Sequence, residues 1–207
     1  MKAVRVHAFG GLDAMSYEDV PKPAPGSGQA LIRVAAAGVG PWDAWVREGK
    51  SVIPQPLPLT LGAELSGVIE AVGPDTAGLR HGDQIFGVTN ARFTGAYAEY
   101  AIAEAAMIAS KPARLTDVEA ASAPVVACTA QQMLFDHAGV QKGQAVVVLG
   151  AAGNVGGYAV QLAQLAEARV VAIARPQHYD LLRSWARRRP SRPGSRRLPS
   201  SPGRPTR

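Results

Sequence analysis

A glycine-rich segment between two apolar runs places the strongest constraint on the fold of this chain. The apolar run at 144–149 is followed by the sequence GAAGNVGG, by a helical pattern up to Ala166, and by a second apolar run at 169–174. An apolar run without alternation is typical of a parallel strand that is covered on both faces. The order of strand, glycine turn, helix and strand therefore predicts one βαβ unit.

The glycine turn also carries a cofactor signal. Ala151, Gly153 and Gly156 match the spacing of the dinucleotide fingerprint, with alanine in place of its first glycine. The second glycine lets the backbone approach a pyrophosphate, and the third lets helix and strand pack closely. The residues predicted to bind the cofactor here are Gly150, Ala151, Ala152, Gly153, Val155 and Gly156. A glycine turn with a purely structural role is the alternative.

The residues after the second apolar run indicate which dinucleotide would bind. A site for NAD places Asp or Glu there to bind the ribose hydroxyls, whereas this chain has Ala174, Arg175 and Pro176. The guanidinium of Arg175 can instead pair with a 2′-phosphate. The sequence therefore predicts NADPH as the cofactor, and an ordinary surface arginine is the alternative for Arg175.

Up to about residue 115 the chain alternates short β-rich runs with glycine and proline turns, which is typical of an antiparallel, barrel-like β domain. The predicted strands are 2–8, 29–39, 64–72, 84–88 and 96–102, with a short helix at 42–48. A capping box at Thr116 and Glu119 begins a helical stretch that reaches His137 and is broken near Pro124. We therefore predict domains at 1–115 and 116–184.

Positive charge is concentrated at one end of the chain. There are 22 basic and 16 acidic residues, but residues 185–207 contain eight arginines and no acid, so the rest of the chain has a net charge of −2. Composition therefore argues against a nucleic-acid-binding domain. The same tail holds five prolines, and we predict that it is disordered, with RNA or membrane attachment as the alternative.

The single cysteine, Cys128, excludes an intramolecular disulfide framework and a four-thiolate zinc site. We expect this thiol to be buried and to pack like a small apolar side chain. No window approaches the ~20 apolar residues that a membrane-spanning helix needs. The sequence therefore predicts a protein of the reducing cytoplasm that does not bind membranes.

Several separated motifs together resemble one protein family, the medium-chain dehydrogenase/reductase superfamily, and within it the zinc-independent quinone oxidoreductase branch. These motifs are GVGPWDAWVREG (38–49), LGAELSGVIEAVG (61–73), HGDQIFG (81–87), GAYAEYA (95–101) and VVLGAAGNVGG (147–157). The resemblance covers residues 1–184 and implies a GroES-like β-barrel domain followed by a Rossmann domain. It also implies hydride transfer from NADPH to a quinone or an α,β-unsaturated carbonyl.

The resemblance also bears on metal binding. Zinc-dependent members of the family have their ligands at the positions of Gly40, Ala63 and Val125, and none of these residues can bind zinc. No metal is therefore expected. The quinone oxidoreductase branch usually has asparagine where Gly40 stands, so any polar contact from that side chain to a substrate is missing here.

The resemblance implies that Asp43 and Thr129 border the nicotinamide end of NADPH. Trp42 and Trp45 are predicted to form an apolar wall for a flat acceptor. Packing in the barrel core is the alternative for both tryptophans, and a helix-start role is the alternative for Asp43. Glu64 either organises the site or lies as a carboxylate at a strand edge.

After Ser184 the family pattern stops in mid-motif, which suggests a frameshift or truncation near this residue. Only two strands of an incomplete Rossmann sheet remain, so both would be edges with uncovered apolar side chains. We therefore expect an unstable nucleotide half and weak or absent activity, and an inactive remnant that acts at most as a binding module is the alternative function. The resemblance implies a homodimer, but the sheet edge that forms it in the family is missing.

Overall fold

The computed structural model describes residues 1–186, the last of them by its backbone only. The chain forms two compact units, Met1–Cys128 and a second that begins at Thr129. The sequence predicts the change of domain earlier, at residue 116. In the structure the segment from residue 116 to Cys128 belongs to the first unit, because helix α2 (Asp117–Ala121) in this segment packs on strands of that unit.

The first unit is built of antiparallel strands. They are β1 (Lys2–Val6), β2 (Met15–Asp19), β3 (Gln29–Ala37), β4 (Leu59–Thr60), β5 (Glu64–Val72), β6 (Gln84–Val88), β7 (Tyr100–Glu104) and β8 (Ile108–Ser110). They pair in the orders β2-β1-β4 and β7-β3-β5-β6-β8. This arrangement confirms the β architecture predicted for this part of the chain.

Strands β4 and β8, of two and three residues, are not predicted by the sequence, and two further differences from the predicted strands have local causes. The strand predicted at 96–102 begins only at Tyr100, because the segment before it turns, with the N–H of Ala98 donating to the carbonyl of Ala96 at 2.9 Å. The sequence misses β2 altogether. Its side chains alternate between exposed and half-buried, so no apolar face marks it as a strand.

The core of the first unit lies on the central strands of the larger sheet. Its largest fully buried side chains there are Ile32, Leu65, Ile69 and Ile85. Helix α1 (Pro41–Arg47) forms where the sequence predicts it, after Gly40 and with proline at its first position. Its Val46 packs into a second cluster with Val6 and Leu61, which fixes the orientation of the helix on the sheet.

The second unit contains the predicted βαβ arrangement. After α3 (Pro124–Gln131) and π-helical turns at Gln132–His137 come β9 (Ala145–Leu149), α4 (Asn154–Leu165), β10 (Arg169–Ile173) and α5 (Tyr179–Ala186). Strands β9 and β10 are parallel and in register from Ala145 to Leu149. The partial Rossmann-like architecture is therefore confirmed.

The prediction that Cys128 is buried is wrong. This thiol lies on α3 and is exposed. The reason is the helical period, because the buried side chains Val126 and Ala130 are four residues apart on one face of α3. Residue 128 lies between them on the opposite side of the helix.

One face of the β9–β10 sheet is covered by α4 and α5. Val148, Val160 and Leu182 are buried there, and the ring of Trp185 packs beside Gly157. Trp185 and Ala186 therefore belong to α5, and the predicted start of the disordered tail at residue 185 is wrong for these two residues. The rest of that predicted tail, 187–207, lies outside the described part of the chain.

The other face of the same sheet is uncovered in the described chain. Val147 opposes Val171 and Leu149 opposes Ile173, and the exposed fractions of these side chains range from 48% to 75%. The sequence predicts loss of cover along both strands. Instead the loss is confined to alternate residues, because successive side chains of a strand point to opposite faces.

Candidate functional site

The glycine turn lies at the carboxyl end of both strands in the second unit. It follows β9 directly, and the N–H of Ala151 donates to the carbonyl of Ile173, the last residue of β10, at 3.1 Å. Gly150 has a φ of 67°, in the left-handed region that favours glycine. The chain therefore reverses sharply here, and the turn is fixed at the edge where open parallel sheets bind ligands.

Helix α4 begins at this turn. Gly153 is its N-terminal cap and is exposed, and the first turn of α4 contains no acidic residue. A Cβ at Gly156 would overlap the carbonyl oxygen of Gly150, so only glycine allows this close approach of helix and turn. Ala152 and Val155 are half-buried beside it. The N–H groups at the start of a helix are free to bind an anion, so this arrangement suits a phosphate group.

Arg175 lies two residues beyond the end of β10 and is exposed. Because β9 and β10 are parallel, it is at the same edge of the sheet as the glycine turn. The segment from Ala174 to His178 contains no carboxylate. Thr129 lies on α3 and is half-buried. Arg175 and the turn therefore share one edge of the sheet, and the cofactor role of Thr129 rests on the resemblance alone.

The first unit holds Asp43 in a buried hydrogen-bonded position. Only 6% of Asp43 is exposed, and its Oδ2 accepts from the N–H of Gly40 at 2.8 Å and from the Tyr97 hydroxyl at 2.9 Å. Burial raises the pKa of Asp43, against the lowering effect of these two hydrogen bonds and of a third from the N–H of Gly62. The bond to Gly40 also caps α1, so the helix-start role is present in the structure.

Glu64 is a second buried carboxylate in this unit, with 3% exposed. Its Oε1 accepts from the N–H of Val125 at 2.8 Å, at the start of α3. Burial raises the pKa of Glu64, and the nearby charge of Asp43 raises it further. Glu64 is the first residue of β5, the central strand of its sheet, so this carboxylate lies at the end of a strand and is buried there.

Tyr97 is a site residue that the sequence did not single out. Burial and the neighbouring Asp43 raise the pKa of its hydroxyl, so this group stays protonated and donates to the carboxylate. Tyr97 lies 54 residues from Asp43 in the chain. The motif GAYAEYA was its only signal, and nothing in it indicated this partner.

The two tryptophans of α1 have different surroundings. Trp42 is half-buried, and its ring meets that of Phe93 edge to face, with the ring centres 6.4 Å apart. Trp45 is 55% exposed. Neither side chain is part of the described apolar clusters, which argues against the core alternative. The wall for a flat acceptor stays a prediction.

The three positions that would bind zinc in zinc-dependent relatives hold Gly40, Ala63 and Val125. Among residues 1–186 no group of three or more His, Cys, Asp or Glu side chains is placed to hold a metal ion. Within the same range no helix is both long and apolar enough to cross a membrane.

Comparison with known proteins agrees with these observations. Residues 26–113 match the alcohol dehydrogenase GroES-like domain family. A quinone oxidoreductase of Pongo abelii is 37% identical over 175 residues, which are 84% of this chain and 53% of that protein. The chain thus spans about half the length of the curated relatives that it matches.

Solved structures show the same likeness. The quinone oxidoreductase from Coxiella burnetii is 32% identical, with a TM-score of 0.80 over 89% of this chain and 60% of that one. A mycobacterial protein solved in complex with NADPH is 33% identical, with a TM-score of 0.77 over 89% of this chain and 55% of that one. The chain therefore belongs to the medium-chain dehydrogenase/reductase superfamily, and the curated relatives that it matches include quinone oxidoreductases.

Proposed function

We propose that this chain is the catalytic and cofactor-binding part of an NADPH-dependent oxidoreductase that reduces a quinone or an α,β-unsaturated carbonyl without zinc. The observation that carries the proposal is the glycine turn at the carboxyl edge of β9 and β10, with Arg175 beside it and no carboxylate. The named relatives support the reaction class, and the neighbour in complex with NADPH supports the cofactor. Because the chain spans about half of these relatives, the activity of the whole protein is part of the proposal.

The cofactor would be held by groups at this one edge. The free N–H groups at the start of α4 would bind the pyrophosphate, and the close packing at Gly156 would keep the turn in place. The guanidinium of Arg175 would pair with the 2′-phosphate, where a carboxylate would repel it. Thr129 would lie toward the nicotinamide, which supplies a hydride when NADPH is bound.

The residues of the first unit would bind the acceptor. Trp42 and Trp45 offer aromatic surface for a flat ring, because Trp45 is 55% exposed and Trp42 is only half-buried. Asp43 would position rather than react, because its carboxylate is covered and holds the N–H of Gly40 and the hydroxyl of Tyr97. The side chains of Gly40, Ala63 and Val125 offer no zinc ligand, so the acceptor carbonyl would be polarised by hydrogen bonds instead.

Calorimetric titration of the purified 207-residue chain with NADPH and with NADH tests the cofactor assignment. We expect preferential binding of NADPH, and Arg175→Ala should weaken it about 10- to 100-fold, as loss of a charge-assisted hydrogen bond does. NADH affinity should not change, and Arg169→Ala, at the opposite end of β10, is the matched control. Absence of NADPH binding, or an equal loss for both nucleotides, would contradict the proposal.

A second candidate is a non-enzymatic remnant, in which only the first unit keeps a binding role. The uncovered apolar face of β9 and β10 is the observation that favours it, because such faces destabilise a small sheet and promote aggregation. The two candidates differ in NADPH consumption. The reductase oxidises NADPH when a small quinone is added, whereas the remnant neither binds nor oxidises it.

A further inference from the structure

The indole of Trp42 has an unexplained buried donor. Its Nε1 atom is fully covered and has no hydrogen-bond partner in the described chain. Leaving a buried N–H unpaired is unfavourable, and phenylalanine would fill a similar space without that donor. A hydrogen-bond donor beside the predicted acceptor site therefore lacks a partner among the described residues.

Packing alone holds the Trp42 ring in this position. A Cβ at Gly40 would overlap the Cε2 and Cζ2 atoms of the ring and lie 2.6 Å from Cη2, so the indole fills the space where a side chain of residue 40 would begin. On another side the ring meets Phe93, at an interplanar angle of 70°. Because the ring makes no described hydrogen bond, a rotation that turns Nε1 toward a ligand would break none.

We propose that Trp42 is a specificity-determining residue whose indole N–H donates a hydrogen bond to a carbonyl oxygen of the acceptor. The indole fills the space where a side chain of residue 40 would begin, so its N–H is the side-chain donor at this position. The acceptor is thus a planar compound with a carbonyl oxygen, such as a quinone, rather than any flat apolar molecule. This inference rests on the proposed reductase function for the identity of the ligand, but it requires neither NADPH nor turnover.

Nuclear magnetic resonance of the indole groups tests the proposal directly. The chain has three tryptophans, so a protein labelled with ¹⁵N-tryptophan gives three indole signals, which single replacements by phenylalanine assign. Titration with 1,4-naphthoquinone should shift the Trp42 proton downfield, and the signal of Trp185 serves as an internal reference. Naphthalene, which has the same shape but no carbonyl, should not produce that downfield shift.

The affinity of variants gives a second measurement. Trp42→Phe keeps an aromatic ring but removes the donor, and it should weaken naphthoquinone binding about three- to tenfold, as loss of one hydrogen bond does. Naphthalene binding should not change. Trp185→Phe, in the second unit, is the matched control and should leave naphthoquinone affinity as it is.

The outcomes separate this inference from the proposed function. Absence of naphthoquinone binding, an unshifted Trp42 proton, or equal affinity of Trp42→Phe and the unaltered chain would each overturn the inference. If the quinone binds through the Trp42 N–H but NADPH is not oxidised, the inference stands and the proposed function fails. If NADPH is oxidised but Trp42→Phe binds the quinone with the affinity of the unaltered chain, the proposed function stands and the inference fails.

Discussion

Replacement of Gly156 with alanine should destabilise the second unit, whereas the same change at Gly157 should not. A Cβ at Gly156 would overlap the carbonyl oxygen of Gly150 and lie 2.9 Å from the Cα of Ala151. A Cβ at Gly157 would instead lie 2.9 Å from the Cη2 atom of Trp185, on a side chain that can turn away. Only the change at Gly156 forces backbone atoms of the turn to move.

The size of the expected destabilisation follows from a comparison of the two variants. Alanine favours the helix over glycine by about 1 kcal/mol at either position, so this gain cancels between them. Overpacking against fixed atoms costs about 1–3 kcal/mol. The free energy of unfolding of Gly156→Ala should therefore be about 1–3 kcal/mol below that of Gly157→Ala. NADPH affinity should fall further in Gly156→Ala, because the displaced turn also carries the N–H groups proposed to bind the pyrophosphate.

Urea unfolding followed by tryptophan fluorescence provides the measurement. In a background with Trp42→Phe and Trp45→Phe, Trp185 is the only tryptophan left and reports on the second unit. Equal slopes with urea would show that the variants expose the same surface, which makes the midpoints comparable. Equal midpoints, or a lower midpoint for Gly157→Ala, would refute the reasoning from close approach at Gly156.

Three further changes have defined expected results. The raised pKa of buried Asp43 means that its contribution to stability is present at low pH and lost as pH rises through that pKa. Asp43→Asn should therefore gain stability relative to the unaltered chain as pH rises above the ordinary pKa of aspartate, about 3.9, and an opposite trend in urea unfolding would contradict this. Thr116→Ala removes the acceptor for the Glu119 N–H and should cost about 1 kcal/mol, measured against Ser122→Ala as control. Leu149→Lys should leave thermal stability unchanged and reduce light scattering, because this side chain is 75% exposed; a large loss of stability would mean that the face is covered.

Local sequence patterns predicted the elements around the glycine turn. The apolar runs, the spacing of Gly153 and Gly156, and the capping box at Thr116 each depend on residues a few positions apart, so their structural meaning can be read without a fold. The position of α1 was predictable for the same reason. Strand β2 was not, because its place depends on pairing with β1 and its own side chains form no apolar face.

The sequence by itself determined the fold class, the glycine turn and the absence of a carboxylate near Arg175, since these follow from short-range patterns. Only the tertiary structure decided which polar groups meet. Tyr97 reaches Asp43 across 54 residues, and Glu64 reaches Val125 across 61. The contact of Trp42 with Gly40 spans two residues, yet it depends on the orientation of one ring, which the packing of α1 and Phe93 sets. Long-range contacts and side-chain orientations leave no repeating pattern of residue types along the chain. The two buried carboxylates and the unpaired indole could therefore be found only in the folded structure.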